Sequence, residues 1–294
     1  MPRSAGRDTA AVSQTSPPQH QVGCRLTFAV TEPARFALQV APAATAGAVH
    51  DERLAITVDG TPVTDVRAHQ GAHGARIQVF AADPGALTID FATVITAAEA
   101  PPTGATRDDG GDPVAALVAL RQSRYCESDR LVGFAATEFP GALDADPYET
   151  AVRVSSWVFE RLAYASGASD HLDSAVDTLL VGAGVCRDYA HLTIALCRAL
   201  GIPARLASVY APGLYPMDFH AVAEVLVAGN WLALDSTRLA PRPELVRIAT
   251  GRDAADTAFA TVSSGRAELT EVEVFASSDG DLAADDHVVP VTLA

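Results

Sequence analysis

The sequence predicts an α+β protein: a small β-sandwich-like domain, then a core in which a central helix packs on an antiparallel sheet. Three observations carry that expectation. Short strand-forming runs separated by turn residues fill residues 24–98. A buried helix is bounded by Gly182 and Gly184 on one side and by Gly201 and Pro203 on the other. A strand–turn–strand unit surrounds Ala228-Gly229.

The chain has 294 residues, which suits one large domain or two modest ones. Apolar residues at 49% and charged residues at 19% exclude wholesale disorder. No apolar run is long enough for a membrane span, and the first residues lack the apolar stretch of a secretory signal. A formal charge of −15 disfavours nucleic acid and anionic membranes as partners. The cysteines, at 24, 126, 186 and 197, show no CxxC spacing. On one helix Cys186 and Cys197 would stand ~16 Å apart, too far to bridge. The expectation is a reduced, cytoplasmic protein with no cofactor and no metal.

Residues 1–21, rich in Ser, Thr, Gln and Pro, read as a flexible tail. Residues 22–98 form the N-terminal β domain, with CRLTFAV, RLAITV, TPVTDVRA, ARIQVFA and ALTIDFATVI as strands. His69 and His73 stand four apart, but Gly71 and Gly74 place them in a loop, where solvated histidines are expected rather than a metal pair. Residues 99–113 are a linker by composition. Residues 114–294 make up the second domain.

Within that domain a helix opens at Pro113 and runs to Ser123, and Cys126 beyond it is a packing residue. A helix over Asp146–Tyr164 carries Val152, Ser156, Phe159 and Ala163 on one face. Trp157 and Tyr164 are read as core or cleft-wall aromatics. A short helix over Asp173–Leu180, capped by Asp173 or Ser174, delivers the chain into the Gly182–Gly184 turn. After the central helix, Ala204–Pro212 reads as a strand and Gly213–Asp218 as a loop overhanging any cleft. Glu268–Phe275 alternates and closes the sheet, and the terminal VVPVTL is a candidate edge strand.

The chemistry concentrates on the central helix and the hairpin. Cys186, Ala190, Thr193, Ile194, Cys197 and Leu200 recur at three- and four-residue steps, so they share one face. Cys186 falls in the first turn, where unpaired N–H groups and the positive dipole end favour a thiolate. With Ala228-Gly229 as a two-residue loop, Val222 opposes Asp235. His220 and Asp235 are then diagonal neighbours on one face, their β-carbons ~7–8 Å apart. A loop at Gly229-Asn230 would put Asp235 opposite Glu224 instead, out of reach. Cys186, His220 and Asp235 are thus the candidate nucleophile, base and orienting acid. Packing is the expected role of His191 and Trp231. Asp188 is expected to stabilise the helix start, and Glu224 to form an ion pair or face solvent.

The blocks GVCRDYAHLTIALCRALGIPAR, DFHAVAEV and WLALDSTR, followed by GRDAAD at 251–256, resemble the bacterial transglutaminase-like family of the papain-like cysteine peptidase superfamily. The resemblance runs from Asp146 to Phe275. It implies a papain-like core behind an N-terminal β domain, with Cys186, His220 and Asp235 in the roles given above. The implied reaction is acyl transfer on amide bonds through a thioester, peptidase or amidase hydrolysis being favoured over transamidation. A peptide or protein is the implied substrate; oligomeric state is not indicated. Three positions depart from the family pattern: Val222 for Trp, Ser236 for Pro and Val209 for Gly. Val222 would reshape the acceptor side of a cleft, so a catalytically silent binding or scaffold module is the alternative. Arg252 is expected to brace Asp253 or a neighbouring carboxylate.

Overall fold

The computed structural model describes residues 18–97 and 113–293. The tail expected over 1–21 lies outside the described residues as far as 17, and the linker over 99–113 as far as 112. The first strand, β1 (Gln19–Leu38), already starts within the expected tail. Its opening residues are held on both sides, His20 pairing with Ile95 and with Ser278, and His20 is buried. Two flanking partners supply the backbone hydrogen bonds that local composition does not advertise.

The N-terminal sheet continues with β2 (Gly47–Val58), β3 (Thr61–Pro62), β4 (Arg67–Gln70), β5 (Arg76–Ala82) and β6 (Gly85–Ala97), in the order β3-β2-β6-β1-β5-β4. His69 therefore lies on a short strand rather than in a loop. β1 pairs with β6 up to Val30 and with β5 from Ala34 onward. Phe36 meets Phe28 edge-on at 5.3 Å and stacks on Phe80 at 5.2 Å, all three within the apolar core of this sheet.

The second half holds α1 (Pro113–Leu120), α2 (Ser128–Glu138), α3 (Pro147–Arg161), β7 (Ala163–Tyr164), α4 (Ala175–Val181), β8 (Ala183–Gly184) and α5 (Cys186–Ala199). β9 (Ala204–Tyr210), β10 (His220–Val227), β11 (Asn230–Leu234) and β12 (Val246–Gly251) form an antiparallel sheet in the order β11-β10-β9-β12. α5 packs on β9 and β10, with α2, α3 and α4 around it, so Asp188 to Arg198 are all buried. Local chemistry sets the helix starts. The Asp146 carboxylate accepts from the amides of Tyr148 and Glu149, with Pro147 opening the turn. Ser174, not Asp173, caps α4 in a reciprocal box with Asp177.

Two helical expectations need correcting. α2 was not anticipated: it buries only Ser128, Leu131 and Ala135, too thin an apolar stripe to read. α3 buries Ala151, Val154, Ser155 and Val158, a face offset from Val152, Ser156 and Phe159. Phe159 stays 40% exposed beneath the Arg238 guanidinium, 4.2 Å from its ring centroid.

The last long strand, β13 (Ala260–Ser278), contains the expected Glu268–Phe275 but does not join the sheet under α5. It runs antiparallel to β1 over the length of that strand, His20 facing Ser278 and Leu38 facing Ala260. It fills the edge of β1 that β5 and β6 leave unoccupied. The terminal VVPVTL forms no strand; Ala233 N–H donates to Val291 O at 2.8 Å, and Pro290 has no N–H to extend a ladder. The two halves are bound together by the Tyr210 hydroxyl on Val40 O at 2.8 Å and by Ala43 N–H on Arg247 O at 2.8 Å. Among the described residues, no helix is long and apolar enough to cross a membrane.

Candidate active site

The tip of α5 is shaped by its own third residue. Asp188 is fully buried, and its carboxylate accepts from Val185 N–H at 2.8 Å, from the Ser169 hydroxyl and from the Arg187 guanidinium. Gly184 makes this possible: a β-carbon there would lie 2.7 Å from the Asp188 side chain. Asp188 thus stabilises the helix start, as expected. Cys186 is held at the first position of α5, half-buried, at the edge of a ≈ 410 Å³ cleft.

The hairpin has the register that the sequence favours. Ala228 and Gly229 both have positive φ, 49° and 79°, so they make the tight two-residue turn, with Val227 opposite Asn230. Continued one residue past the Ala223–Leu234 pair, this register sets Asp235 opposite Val222, on the face that His220 shares. His220 Nε2 lies 3.0 Å from Asp235 Oδ2, and both residues are buried. The other carboxylate oxygen accepts from Thr237 N–H at 2.9 Å and from its hydroxyl at 2.7 Å. Asp235 is therefore fixed from two sides.

The thiol comes to the same place. Cys186 Sγ lies 3.9 Å from Phe219 O, the residue immediately before His220. His220 Nδ1 makes no hydrogen bond, which leaves that nitrogen open in the cleft that Cys186 also lines. Burial disfavours the imidazolium, but the Asp235 charge and hydrogen bond outweigh it, and contact with Cys186 adds to them. The pKa of His220 is raised to about 10. The Asp235 carboxyl is held below the usual range: burial pushes it up, and His220 and Thr237 more than offset this. Cys24, Cys126 and Cys197 behave otherwise: burial pushes each thiol up to about 12, as for packing residues.

The cleft floor is apolar, with Leu206, Ile248 and a stacked Phe219–Phe259 pair whose centroids are 4.9 Å apart. Asp218 is on its wall; burial raises its pKa while its carboxylate accepts the Phe219 amide at 2.7 Å. Val222 does not line this cleft. It sits with Val209 in one apolar cluster, so the bulk missing at 222 and the bulk added at 209 fall in the same region.

Several contacts around the site are long-range and were invisible in the sequence. Ser236 links Thr193 of α5 (2.6 Å) to Ser155 of α3 (3.0 Å) through their hydroxyls. Glu224 is buried between Arg205, at 2.8 Å, and Arg247, and its pKa falls to about 2: burial opposes ionisation, but the two guanidinium groups dominate. Ion pairing was among the roles expected for it. Arg252 clamps Asp256 at 2.8 and 3.0 Å, the neighbouring carboxylate foreseen for it. Trp231 is buried beneath Arg205, whose guanidinium carbon stands 3.9 Å over the ring.

A thiol at a helix tip, facing a carboxylate-held imidazole on an antiparallel sheet, defines a class, and the chain belongs to it: this is a member of the transglutaminase-like superfamily. The superfamily model matches residues 139–236, which include Cys186, His220 and Asp235. The chain is similar along 95% of its length to 96% of a candidate cysteine protease from Cytophaga hutchinsonii, at 32% identity and a TM-score of 0.80. An uncharacterized Mycobacterium leprae protein is 29% identical over 145 residues, 45% of this chain. The match spans half the length of that curated relative. The periplasmic domain of TgpA from Pseudomonas aeruginosa covers 77% of the chain and 92% of its own length, at 17% identity and a TM-score of 0.39.

Proposed function

We propose that this protein is a cysteine-dependent acyl-transfer enzyme that cleaves amide bonds of a peptide or protein, hydrolysis prevailing over transamidation. One observation carries the proposal: the buried His220 is held by Asp235 at 3.0 Å in the cleft that Cys186 lines, and the bonded carboxylate favours its imidazolium. A cation there is the counter-charge for a thiolate at Cys186. The thiolate attacks the amide carbonyl carbon, and the C=O electron pair moves to oxygen. As the pair returns, the C–N bond breaks and the His220 imidazolium gives its proton to the departing amine. The neutral imidazole then takes a proton from water, whose oxygen displaces the sulfur from the thioester.

Half-burial of Cys186 gives water access to that thioester and supports hydrolysis, as does the likeness to the Cytophaga candidate protease. The silent-scaffold alternative rested on Val222, which does not line the cleft. A cytoplasmic location is part of the same proposal, supported by four unpaired cysteines, three of them buried. The charge of −15 supports a substrate other than nucleic acid.

The test is alkylation with iodoacetamide at neutral pH. Cys186 is expected to react selectively and His220→Ala to suppress the reaction; labelling no faster than at Cys126 or Cys197 would refute an activated thiol. A peptide-cleavage and amine-incorporation screen, with Cys186→Ala as control, then separates the outcomes. Incorporation without cleavage would replace hydrolysis by transamidation.

A further inference from the structure

The reaction proposed above places negative charge on the acyl oxygen, and α5 offers one donor for it, the Cys186 N–H at the first helical position. A second donor is needed. Four of the polar side chains lining the cleft are already engaged. The Gln39 amide faces Asp256 O and Ala258 O, the Tyr125 hydroxyl donates to His171 O, and the Ser208 hydroxyl to Ala249 O. Arg187 is spent on Asp188 and Asp170 O.

A further neighbour of the helix tip comes from outside the cleft lining. β7 and β8 pair in parallel: Ala163 N–H donates to Gly182 O at 2.9 Å and Ala165 N–H to Gly184 O at 3.0 Å. This sets Tyr164 beside Gly184, two residues before Cys186. Its ring leans on Tyr189 in the first turn of α5, with centroids 5.9 Å apart and planes at 45°. Tyr189 is itself fixed by its hydroxyl on Leu162 O at 2.8 Å. The strand register and the ring contact together therefore place Tyr164 at the helix tip, beside the turn that delivers Cys186. The residue is 48% exposed, so a substrate carbonyl can approach it. Burial of the hydroxyl, with Cys186 close by, pushes its pKa up to about 12, and it stays protonated at neutral pH.

We propose that Tyr164 is a catalytic residue whose O–H, together with the Cys186 N–H, forms the oxyanion hole. When a carbonyl enters, its oxygen accepts from both donors, and Tyr164 keeps its proton throughout. The assignment rests on the acyl-transfer reading of Cys186.

Tyr164→Phe leaves the ring against Tyr189 and removes only the O–H. Acylation of the protein by p-nitrophenyl acetate, followed by p-nitrophenolate release in a single turnover, is expected to slow roughly 10²-fold. Alkylation of Cys186 by iodoacetamide is expected to be unchanged, because it develops no oxyanion. Equal acylation rates, a faster variant, or a parallel fall in acylation and alkylation would overturn the assignment. If wild-type protein is acylated no faster than Cys186→Ala, the acyl-transfer reading itself falls, and Tyr164 with it.

Discussion

Two of the buried imidazoles, His191 and His220, have pKa values shifted in opposite directions. His191, five residues past Cys186 on α5, stacks on Tyr125 at 5.2 Å, and its Nε2 accepts the Ala254 amide at 3.1 Å. Burial dominates there and lowers its pKa to about 4, although Asp253 nearby pulls the other way. His220 is equally enclosed, but a carboxylate is bonded directly to its ring, and its pKa rises to about 10. Enclosure alone makes a neutral hydrogen-bond acceptor that ties the GRDAAD segment to α5. Enclosure with a contacting carboxylate makes a cation, and only the cation suits a thiol nucleophile.

The strongest way to break the contrast is Asp235→Asn, which should turn His220 into a second His191. Acylation should fall by up to about 10⁴-fold, and the His220 titration followed by NMR should drop from about 10 to below its ordinary value. A His220 that still titrates near 10 in this variant would show that Asp235 is not the cause.

Glu224→Gln extends the comparison to a buried carboxylate. Leaving Arg205 and Arg247 facing an amide should cost about 3–5 kcal/mol in urea unfolding. Because the Glu224 pKa is depressed to about 2, its contribution is full above pH 4.5 and is lost as pH falls through about 2. The variant should lack that acid limb.

The histidines themselves give the next effect. His191 is depressed, so its stabilisation is full above pH 6.5 and declines as pH falls toward about 4. His191→Gln should flatten that window by roughly 3 kcal/mol. His220 is raised, so its stabilisation is full below pH 6.5 and is lost as pH rises through about 10. Urea midpoints measured across pH 4 to 10 should show the two limbs separately. The smallest expected change sharpens the hairpin that carries His220: Ala228→Asn at φ 49° should stabilise the protein by about 0.5–1 kcal/mol in thermal unfolding.

What the sequence revealed about this site was local. Ala228-Gly229 fixed the hairpin register, and with it the meeting of His220 and Asp235, because two-residue turns allow little else. Gly184 and Asp188 marked the helix tip for the same reason: each acts within four residues of Cys186. What stayed hidden depends on partners far along the chain. Alternation identified Glu268–Phe275 as a strand but says nothing about which edge it joins. The hydroxyl relay through Ser236 spans residues 155 to 236, and the Arg242–Asp285 pair at 2.7 Å spans more than forty. α3 shows a third limit: apolar residues occur on two overlapping faces, and only contact with α5 decides which is buried.

The pairing of β1 with β13 has a consequence for biosynthesis. β1 leaves the ribosome well before β13, so its second edge is not filled until Ala260–Ser278 have been made. Between the two strands the nascent chain therefore presents an unpaired strand edge, the kind of surface that invites aggregation and chaperone capture. The sheet made first is the one finished last, and severing the chain between the two halves would leave the 19-residue β13 attached to the piece that has nothing to pair it with.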